Sequence, residues 1–366
     1  MSSIKVLRTT DKYIIGPVSW IIGGLSKLFS KDKFDVKSIA FVKLWAIGDS
    51  VTSLPLIKAI KEKYPKSNIT VIAHKRNFTV YEHQSFIDEI ILFEEENLFK
   101  FLRKFDLVFD LEPYLNSSAL LSWWIGKFRI GFSNQARSIL YNKTSLFSKS
   151  KHMVEMYMDL GRQVGIEKTI SKLEKLKVNK KEKEQVDIFL RKNGVKKNDK
   201  LAGICTGAAE SVRERMWPKE RFAELADYLT NKNYVVIFTG SPAESKLIEE
   251  VRSLMNTKSI NSAGKISLTE SFDLIEKCNI FISNDTGPMH VAAAQGCKTI
   301  GLFGPNTPVR WGPFGKGNVS IYHKISCSPC IINEKGIMPI CINKEFQKCM
   351  KLISVKEVKK TINKLS

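Results

Sequence analysis

The sequence lacks any run of about 18 uninterrupted apolar residues, the length a helix needs to span a bilayer, so we predict no transmembrane helix. Cysteine is scarce and odd in number, with seven in 366 residues. This indicates a reducing compartment rather than a framework of disulfides. With 43% hydrophobic and 26% charged residues, the chain has enough apolar material for a globular core and enough length for two ordinary domains.

Acidic residues are also under-represented: 37 Asp and Glu stand against 58 Lys and Arg, a formal net charge of +21. The positive electrostatic potential of such a chain favours anionic partners, namely nucleic acid, an anionic membrane face or a phosphorylated substrate. A generally lysine-rich surface would explain the same number, and the charge carries no information about fold.

The N-terminal segment is apolar between basic flanks, with "YIIGPVSWIIGGLSKLF" at 13–29. Pro17 and a pair of glycines interrupt it and no small-residue cleavage site follows, which disfavours a signal peptide. A short helix in the membrane interface, with Trp20 and Phe29 as anchors, fits better. Packing of the segment onto the protein's own surface remains an alternative.

Short apolar runs alternate with helical patterns along the rest of the chain, which predicts parallel, helix-covered sheets and an α/β fold. A lysine-rich stretch that is poor in core residues separates two such series. The predicted divisions are a basic and apolar N-terminal segment, an N-terminal α/β domain, a linker with an exposed helix, a C-terminal α/β domain and a basic tail with cysteines, at 1–37, 38–166, 167–200, 201–325 and 326–366.

The stretch "SNDTGPMHVAAAQG" follows a hydrophobic run and opens a helix of small residues. Asp285 or Thr286 can cap that helix, and Gly287 with the next proline suits its first turn. Free N–H groups there, the Thr286 hydroxyl and the helix dipole would hold a pyrophosphate, with His290 in reach. A capped turn with a satisfied histidine is the alternative.

Two further stretches carry candidate chemistry. In "KLWAIGDSVTSLP", Gly48 permits a tight turn and Asp49 stands at a strand's carboxyl end, where it would serve as a general base or as a helix N-cap. In "RMWPKERF", Arg215 precedes a helix and could neutralise a diphosphate leaving group. The alternative is a surface cation beside a core Trp217.

These three stretches together resemble glycosyltransferase family 9, the heptosyltransferases of lipopolysaccharide core assembly. "AIGDSVTSLPLIKAI", "RMWPKERF" and "DTGPMHVAAAQGCKTIGLFG" are similar to the family's motifs in the right order. "RIGF" and the tail pattern "CSPC", Cys341 and "KCM" are similar as well. The resemblance covers roughly residues 38–360.

The resemblance implies an α/β fold of the GT-B type, with two Rossmann-like domains facing each other across a cleft. It implies that Asp49 is the base that deprotonates the acceptor hydroxyl in an inverting displacement. The donor's diphosphate would lie on the C-terminal domain, at the residues that match the family's donor motifs: Arg215, Asp285, Thr286, Gly287, His290 and, less securely matched, Glu244. No cofactor is implied, since the nucleotide sugar is a co-substrate.

Two positions depart from the family pattern. The family's lysine before "x-W-P" is Arg215, which keeps the charge and can grip phosphate through two N–H groups. The proline that usually follows "A-A-A-x-G-x" is Lys298, after Cys297. Donor binding should survive, although donor preference can differ.

We expect no metal in the active site, because helix N-termini and a cation can stabilise a departing diphosphate. "DLE" at 110–112 is better explained as a strand end than as a metal-binding D-x-D. The tail cysteines Cys327, Cys330, Cys341 and Cys349 contain one C-x-x-C, but seven residues separate the last two. The pattern favours ordinary cysteines and leaves a zinc site open.

The predicted function is a metal-independent transfer of heptose from ADP-heptose to an anionic lipid-linked glycan of the lipopolysaccharide inner core. We place the enzyme at the cytoplasmic face of an anionic membrane. A family-9-like transferase with another nucleotide sugar and acceptor is the alternative. A nucleic-acid-binding protein is disfavoured, because no aromatic residues interleave the lysines.

Overall fold

The computed structural model describes residue 11 and residues 35–208, 210–332 and 340–365. The segment at 13–29 that we interpret as an interfacial helix lies outside these residues. The described chain divides into two compact units, unit 1 up to residue 170 and unit 2 from residue 171 on. None of the helices within the described ranges combines the length and the apolar character that a membrane span requires.

Unit 1 is built on a six-stranded sheet in which every neighbouring pair is parallel. Its strands are β1 Ser38–Val42, β2 Asn68–Ala73, β3 Glu89–Leu92, β4 Phe105–Asp110, β5 Gly126–Phe132 and β6 Lys143–Ser145. Its helices are α1 Ile47–Lys63, α2 Asn116–Ile125 and α3 Met153–Arg162, with 3₁₀ turns at Phe78–Val80, Leu98–Phe101 and Ala136–Leu140.

Unit 2 holds a second six-stranded parallel sheet. Its strands are β7 Lys200–Cys205, β8 Tyr234–Thr239, β9 Ile260–Asn261, β10 Ile280–Asn284, β11 Lys298–Phe303 and β12 Val319–Tyr322. Its helices are α4 Lys180–Lys192, α5 Lys219–Asn231, α6 Ser245–Arg252, α7 Leu268–Glu276, α8 Gly287–Gln295, α9 Pro308–Trp311, α10 Lys348–Lys351 and α11 Val355–Leu365, with 3₁₀ segments at Glu210–Arg215 and Pro242–Glu244.

The central strands are continuous apolar runs because helices cover both faces of a parallel sheet. In β1, Ile39, Ala40, Phe41 and Val42 are all fully buried. In unit 2 the core also includes the tail, since Val358 and Ile362 of α11 join the same apolar cluster as the strands. The C-terminal helix is therefore an integral part of this unit.

The two units share one strand order. It is β3-β2-β1-β4-β5-β6 in unit 1 and, read from the other edge, β9-β8-β7-β10-β11-β12 in unit 2. This is the Rossmann order, and its direction reverses between β1 and β4 and again between β7 and β10. Ligands of such sheets bind beyond the carboxyl ends of these strand pairs, so each unit has one predicted binding edge.

Most strands lie where the apolar runs predict them, and β6 and β12, two of the four edge strands, are the exceptions. Both are short, and each has only one neighbouring strand, so neither needs a long apolar run. The predicted linker at 167–200 contains a helix, as the sequence indicates. Its helix α4 buries Val186 and Leu190 and belongs to unit 2.

Candidate active site

The binding edge of unit 1 carries Asp49 in the first turn of α1. The turn from β1 into this helix is made by Ala46, whose φ of 61° lies in the left-handed region. Gly48, which we predict as the turn residue, lies inside the helix instead. Because the helix begins at Ile47, Asp49 is not its N-cap, and its carboxylate is available to other groups.

A buried lysine holds two carboxylates at this edge. The Lys43 Nζ donates to Glu112 Oε1 at 2.8 Å and lies 3.7 Å from Asp49 Oδ2. The Lys43 side chain is 0% exposed, whereas that of Asp49 is 22% exposed. Glu112 Oε1 also accepts from the backbone N–H groups of Leu44 and Trp45. Asp49 is therefore the most solvent-accessible side chain of this group.

The charge state of this group follows from its surroundings. Burial by itself lowers the pKa of Lys43, but the negative charges of Glu112 and Asp49 outweigh it, so the pKa is raised above 10.5. Burial, together with the negative charges of Asp49 and Glu112, raises the pKa of Tyr157 well above its ordinary value. Lys43 is thus protonated and Tyr157 neutral near pH 7, and Lys43 places a positive charge beside Asp49.

The acidic residues of "DLE" are engaged with protein partners. Asp110 accepts hydrogen bonds from Tyr141 Oη at 2.6 Å and Ser118 Oγ at 2.8 Å, and it pairs with the fully buried Arg137. Burial raises the pKa of Asp110, and the charge of Arg137 opposes this rise. With Glu112 bound to Lys43, both carboxylates of this strand end stabilise the fold, in agreement with the strand-end interpretation.

In unit 2 the corresponding edge brings Arg215 to Asp285. The Arg215 Nη1 donates to the Asp285 carbonyl at 3.0 Å, and its Nε lies 3.3 Å from Asp285 Oδ2. Asn306 Nδ2 donates to the same Oδ2 at 2.8 Å. The Arg215 side chain is 19% exposed and that of Asp285 only 6%. Asp285 therefore anchors Arg215, which keeps N–H groups for an external anion.

Helix α8 begins directly after this pair. Thr286 is its N-cap by backbone conformation, yet the Thr286 hydroxyl makes no capping bond and lies 3.1 Å from Ser283 Oγ instead. Thr286, one of the two residues predicted to cap the helix, is thus the N-cap, but its hydroxyl does not bond to a backbone N–H of the helix. Gly287 opens the first turn, and His290, also in that turn, is buried. The first-turn N–H groups and the helix dipole favour an anion at this point.

Glu244 reaches the same edge from the turn that follows β8. Its Oε2 accepts from the Ser241 N–H at 2.7 Å and from Ser241 Oγ at 2.8 Å. Its other oxygen lies over Gly207, where an added Cβ would stand 1.5 Å from Glu244 Oε1. Because Gly207 has no side chain, the Glu244 carboxylate can occupy the space beside it, just past the end of β7.

One residue that we did not predict connects these pieces. Asn284 is fully buried, and its Oδ1 accepts from the Trp217 N–H at 3.0 Å. Its Nδ2 donates to the carbonyls of Thr206 and Gly207. The only signal in the sequence was an amide at the last position of a buried strand, where a polar side chain has to find partners.

The sequence-predicted residues therefore form two groups. Arg215, Glu244, Asp285, Thr286, Gly287 and His290 lie at the edge of unit 2, while Gly48 and Asp49 lie at the edge of unit 1. Within the described ranges no three His, Cys, Asp or Glu side chains are arranged as a metal-binding group. The edge of unit 2 can bind an anionic group, and the edge of unit 1 offers a half-buried carboxylate that can accept a proton.

Comparison with known proteins identifies the family. The family model for glycosyltransferase family 9 (heptosyltransferase) matches residues 97–339, more than half of the chain. The chain belongs to glycosyltransferase family 9. It is 28% identical over 307 residues to the lipopolysaccharide core heptosyltransferase OpsX of Haemophilus influenzae, covering 79% of this chain and 85% of that protein.

Solved structures of the family agree with the fold. A family 9 glycosyltransferase from Veillonella parvula superposes with a TM-score of 0.76 at 27% identity, covering 91% of this chain and 98% of that one. The Escherichia coli ADP-heptose lps heptosyltransferase II superposes with a TM-score of 0.71 at 23% identity, covering 90% and 98%. The predicted family and the α/β fold of GT-B type are confirmed, and the chain is a glycosyltransferase.

Proposed function

We propose that this family 9 glycosyltransferase transfers heptose from ADP-heptose to an anionic lipid-linked glycan of the lipopolysaccharide inner core. The observation that carries the proposal is the partly exposed Arg215 beside the first turn of α8, at the switch point of unit 2. The names of the relatives support the donor and the acceptor. A transferase with another nucleotide sugar would use the same diphosphate site, so a direct comparison of donors has to distinguish the two.

The donor's diphosphate is the group that the edge of unit 2 would bind. Its oxygens would accept from the Arg215 guanidinium and from the backbone N–H groups of the N-cap Thr286 and of Gly287. Glu244, held by Ser241 at the same edge, would accept from hydroxyl groups of the ribose or the sugar. Asp285 and His290 are both buried, and they would support the residues that contact the diphosphate.

The acceptor's hydroxyl is the group that Asp49 would deprotonate. In the reaction the acceptor oxygen forms a bond to the anomeric carbon while the bond from that carbon to the diphosphate oxygen breaks. The hydroxyl proton passes to the Asp49 carboxylate, and ADP leaves with the bonding electrons. Attack opposite to the leaving group inverts the anomeric configuration. Lys43 places a positive charge 3.7 Å from the Asp49 carboxylate.

We also infer that the transfer step needs no divalent cation, because Arg215 and the α8 first turn already supply positive potential to the departing diphosphate. The net charge of +21 supports a phosphorylated acceptor at an anionic cytoplasmic membrane face. Transfer rates with EDTA and with added Mg²⁺ test the first inference. Rates on vesicles with and without anionic lipid test the second.

The central experiment incubates the full chain with ADP-heptose and truncated inner-core acceptors, and it analyses the products by mass spectrometry and by NMR of the anomeric proton. We expect the mass of one heptose to be added, with inversion. ADP-, UDP- and GDP-sugars run in parallel separate the alternative donors. Retention of configuration would overturn the mechanism, and transfer from another donor alone would overturn the substrate.

A further inference from the structure

Three consecutive basic residues follow the end of β2, at the binding edge of unit 1. His74 Nε2 lies 2.7 Å from Glu94 Oε1, and Lys75 Nζ lies 2.7 Å from Glu95 Oε1. Arg76 is exposed, and no carboxylate in the described part of the chain lies within ion-pairing distance of its side chain. Arg76 is therefore the member of this run whose charge is not matched by a described carboxylate.

The Arg76 guanidinium lies over an aromatic ring. Its Cζ is 5.3 Å from the centroid of the Trp45 ring, the distance of a cation–π contact. The His74 ring stacks with the same indole, with ring centroids 6.4 Å apart and ring planes at 22°. The Trp45 ring in turn packs against the apolar core of unit 1. A guanidinium that contacts an aromatic ring and no carboxylate keeps its N–H groups for an external oxyanion.

The loop that carries Arg76 is fixed beside the helix turn that carries Asp49. The buried Asn77 donates from Nδ2 to the Lys43 carbonyl at 3.0 Å and to Ser50 Oγ at 2.7 Å. Arg76 directly precedes Asn77 in the chain. Asp49 directly precedes Ser50, so the hydrogen bond between this amide and this hydroxyl holds the two loops side by side.

The indole beneath Arg76 is held at the same edge through its main chain. The Trp45 N–H donates to Glu112 Oε1 at 2.8 Å, and Lys43 Nζ donates to the same oxygen. Lys43 Nζ also lies 3.7 Å from Asp49 Oδ2. One buried carboxylate therefore links the ring that supports Arg76 to the carboxylate that we propose as the base.

We propose that Arg76, supported by Trp45, binds an oxyanion of the acceptor, namely a carboxylate or a phosphate group near the reacting hydroxyl. The guanidinium would donate two N–H groups to the oxyanion. The partly exposed rings of Trp45 and His74 would pack against the apolar C–H face of the sugar. Bound in this way, the acceptor would present its hydroxyl to Asp49, and acidic acceptors would be preferred over neutral ones.

The identity of the ligand as the acceptor rests on the proposed function, whereas an oxyanion site at Arg76 can be measured by binding alone. The probe is a truncated inner-core acceptor that bears a carboxylate and a phosphate, compared with versions that lack one or the other. Calorimetry with the full chain gives the dissociation constants. We expect the loss of one of these two groups to weaken binding by about tenfold to 100-fold, which identifies the oxyanion.

Variants assign this preference to the guanidinium. Arg76→Gln should bind the charged and uncharged probes equally, and Arg76→Lys should retain part of the preference because it keeps the charge without the planar donor set. Lys75→Gln is the matched control, since it removes a neighbouring charge that is paired with Glu95, and it should keep the preference of the parent. Circular dichroism and the dissociation constant for ADP, both unchanged, should show that the variants are folded.

Equal or undetectable binding of the charged and uncharged probes by the parent would overturn the proposal, as would an Arg76→Gln variant that keeps the preference. A loss of ADP affinity in folded Arg76→Gln would assign this arginine to the donor and would also overturn it. A parent that binds the charged probe through Arg76 but transfers no sugar would count against the proposed function and leave the oxyanion site intact.

Discussion

The two binding edges of this glycosyltransferase have the same strand order but differ in how exposed their cations are and how these cations are paired. In unit 1, Lys43 is fully buried between Glu112 and Asp49. In unit 2, Arg215 is 19% exposed and pairs with Asp285 alone among the carboxylates of the described chain. The buried lysine has its charge matched within the protein, while the arginine retains capacity for another anion.

This difference shows how one architecture supports two chemistries. A fully buried cation that pairs with a carboxylate fixes the position of that carboxylate, and it cannot itself contact a substrate. A cation that stays partly exposed beside its paired carboxylate can also bind a negatively charged ligand. The edge of unit 1 therefore suits proton transfer and the edge of unit 2 suits anion binding.

The largest effect is expected on kcat when Asp49 is replaced, and it should distinguish the two edges. Asp49→Asn should lower kcat by about 10³-fold, because the amide cannot take the acceptor's proton. The dissociation constant for the donor should stay within about twofold, since the proposed role of Asp49 is to accept a proton from the acceptor and not to bind the diphosphate. Steady-state kinetics and calorimetry measure the two quantities. Asp35→Asn, at an exposed position, is the control, and undiminished turnover of Asp49→Asn would remove the base assignment.

The second prediction concerns stability. Lys43→Met should reduce the free energy of unfolding by about 3 kcal/mol, because it leaves Glu112 buried without its counter-charge. The folded pKa of Lys43 is raised, so its contribution is fully present below pH 10.5 and is lost only as the pH rises through that higher value.

Urea unfolding should therefore show the same loss in Lys43→Met at pH 6 and pH 9. The double variant with Glu112→Gln should recover part of the stability, since glutamine keeps an acceptor for the Leu44 and Trp45 N–H groups without the charge. A single variant as stable as the parent would contradict the description of Lys43 as a buried counter-charge.

The third prediction addresses the exposed cation. Arg215→Gln should weaken ADP binding about tenfold to 100-fold, the range for losing hydrogen bonds to a charged group. The free energy of unfolding should change little, because Asn306 still satisfies Asp285. Arg252→Gln, at the far end of α6, is the matched control. Equal ADP affinity in Arg215→Gln and its parent would exclude the diphosphate role.

The smallest effect is expected at Gly207. Gly207→Ala would displace the Glu244 carboxylate from its position, which the flexible end of that side chain can accommodate at little cost in stability. If Glu244 contacts the donor, the Kd for ADP-heptose should rise about threefold to tenfold, equivalent to one lost hydrogen bond. Glu244→Gln should give a similar change, and identical affinity in both variants and the parent would remove Glu244 from the site.

Much of this description could be predicted from local patterns. Alternating apolar runs and helices predict parallel sheets, and the order of three short motifs points to the family and to Asp49, Arg215 and Thr286. The edge strands β6 and β12 could not be predicted, because three or four residues with one neighbour need no strong apolar pattern. Thr286 is the N-cap of α8, as one of the two alternatives predicted, but the local pattern could not show that its hydroxyl bonds to Ser283 and Asn284 instead of the helix.

By itself, the sequence determined the family, the α/β class and the residue types at each motif, because these depend on neighbours along the chain. Only the tertiary structure decided which charges meet. Lys43 and Glu112 are 69 positions apart, and Arg215 and the Asp285 carbonyl are 70 apart. Each pair meets because β1 lies beside β4 and β7 beside β10, and strand order is not encoded in any local pattern.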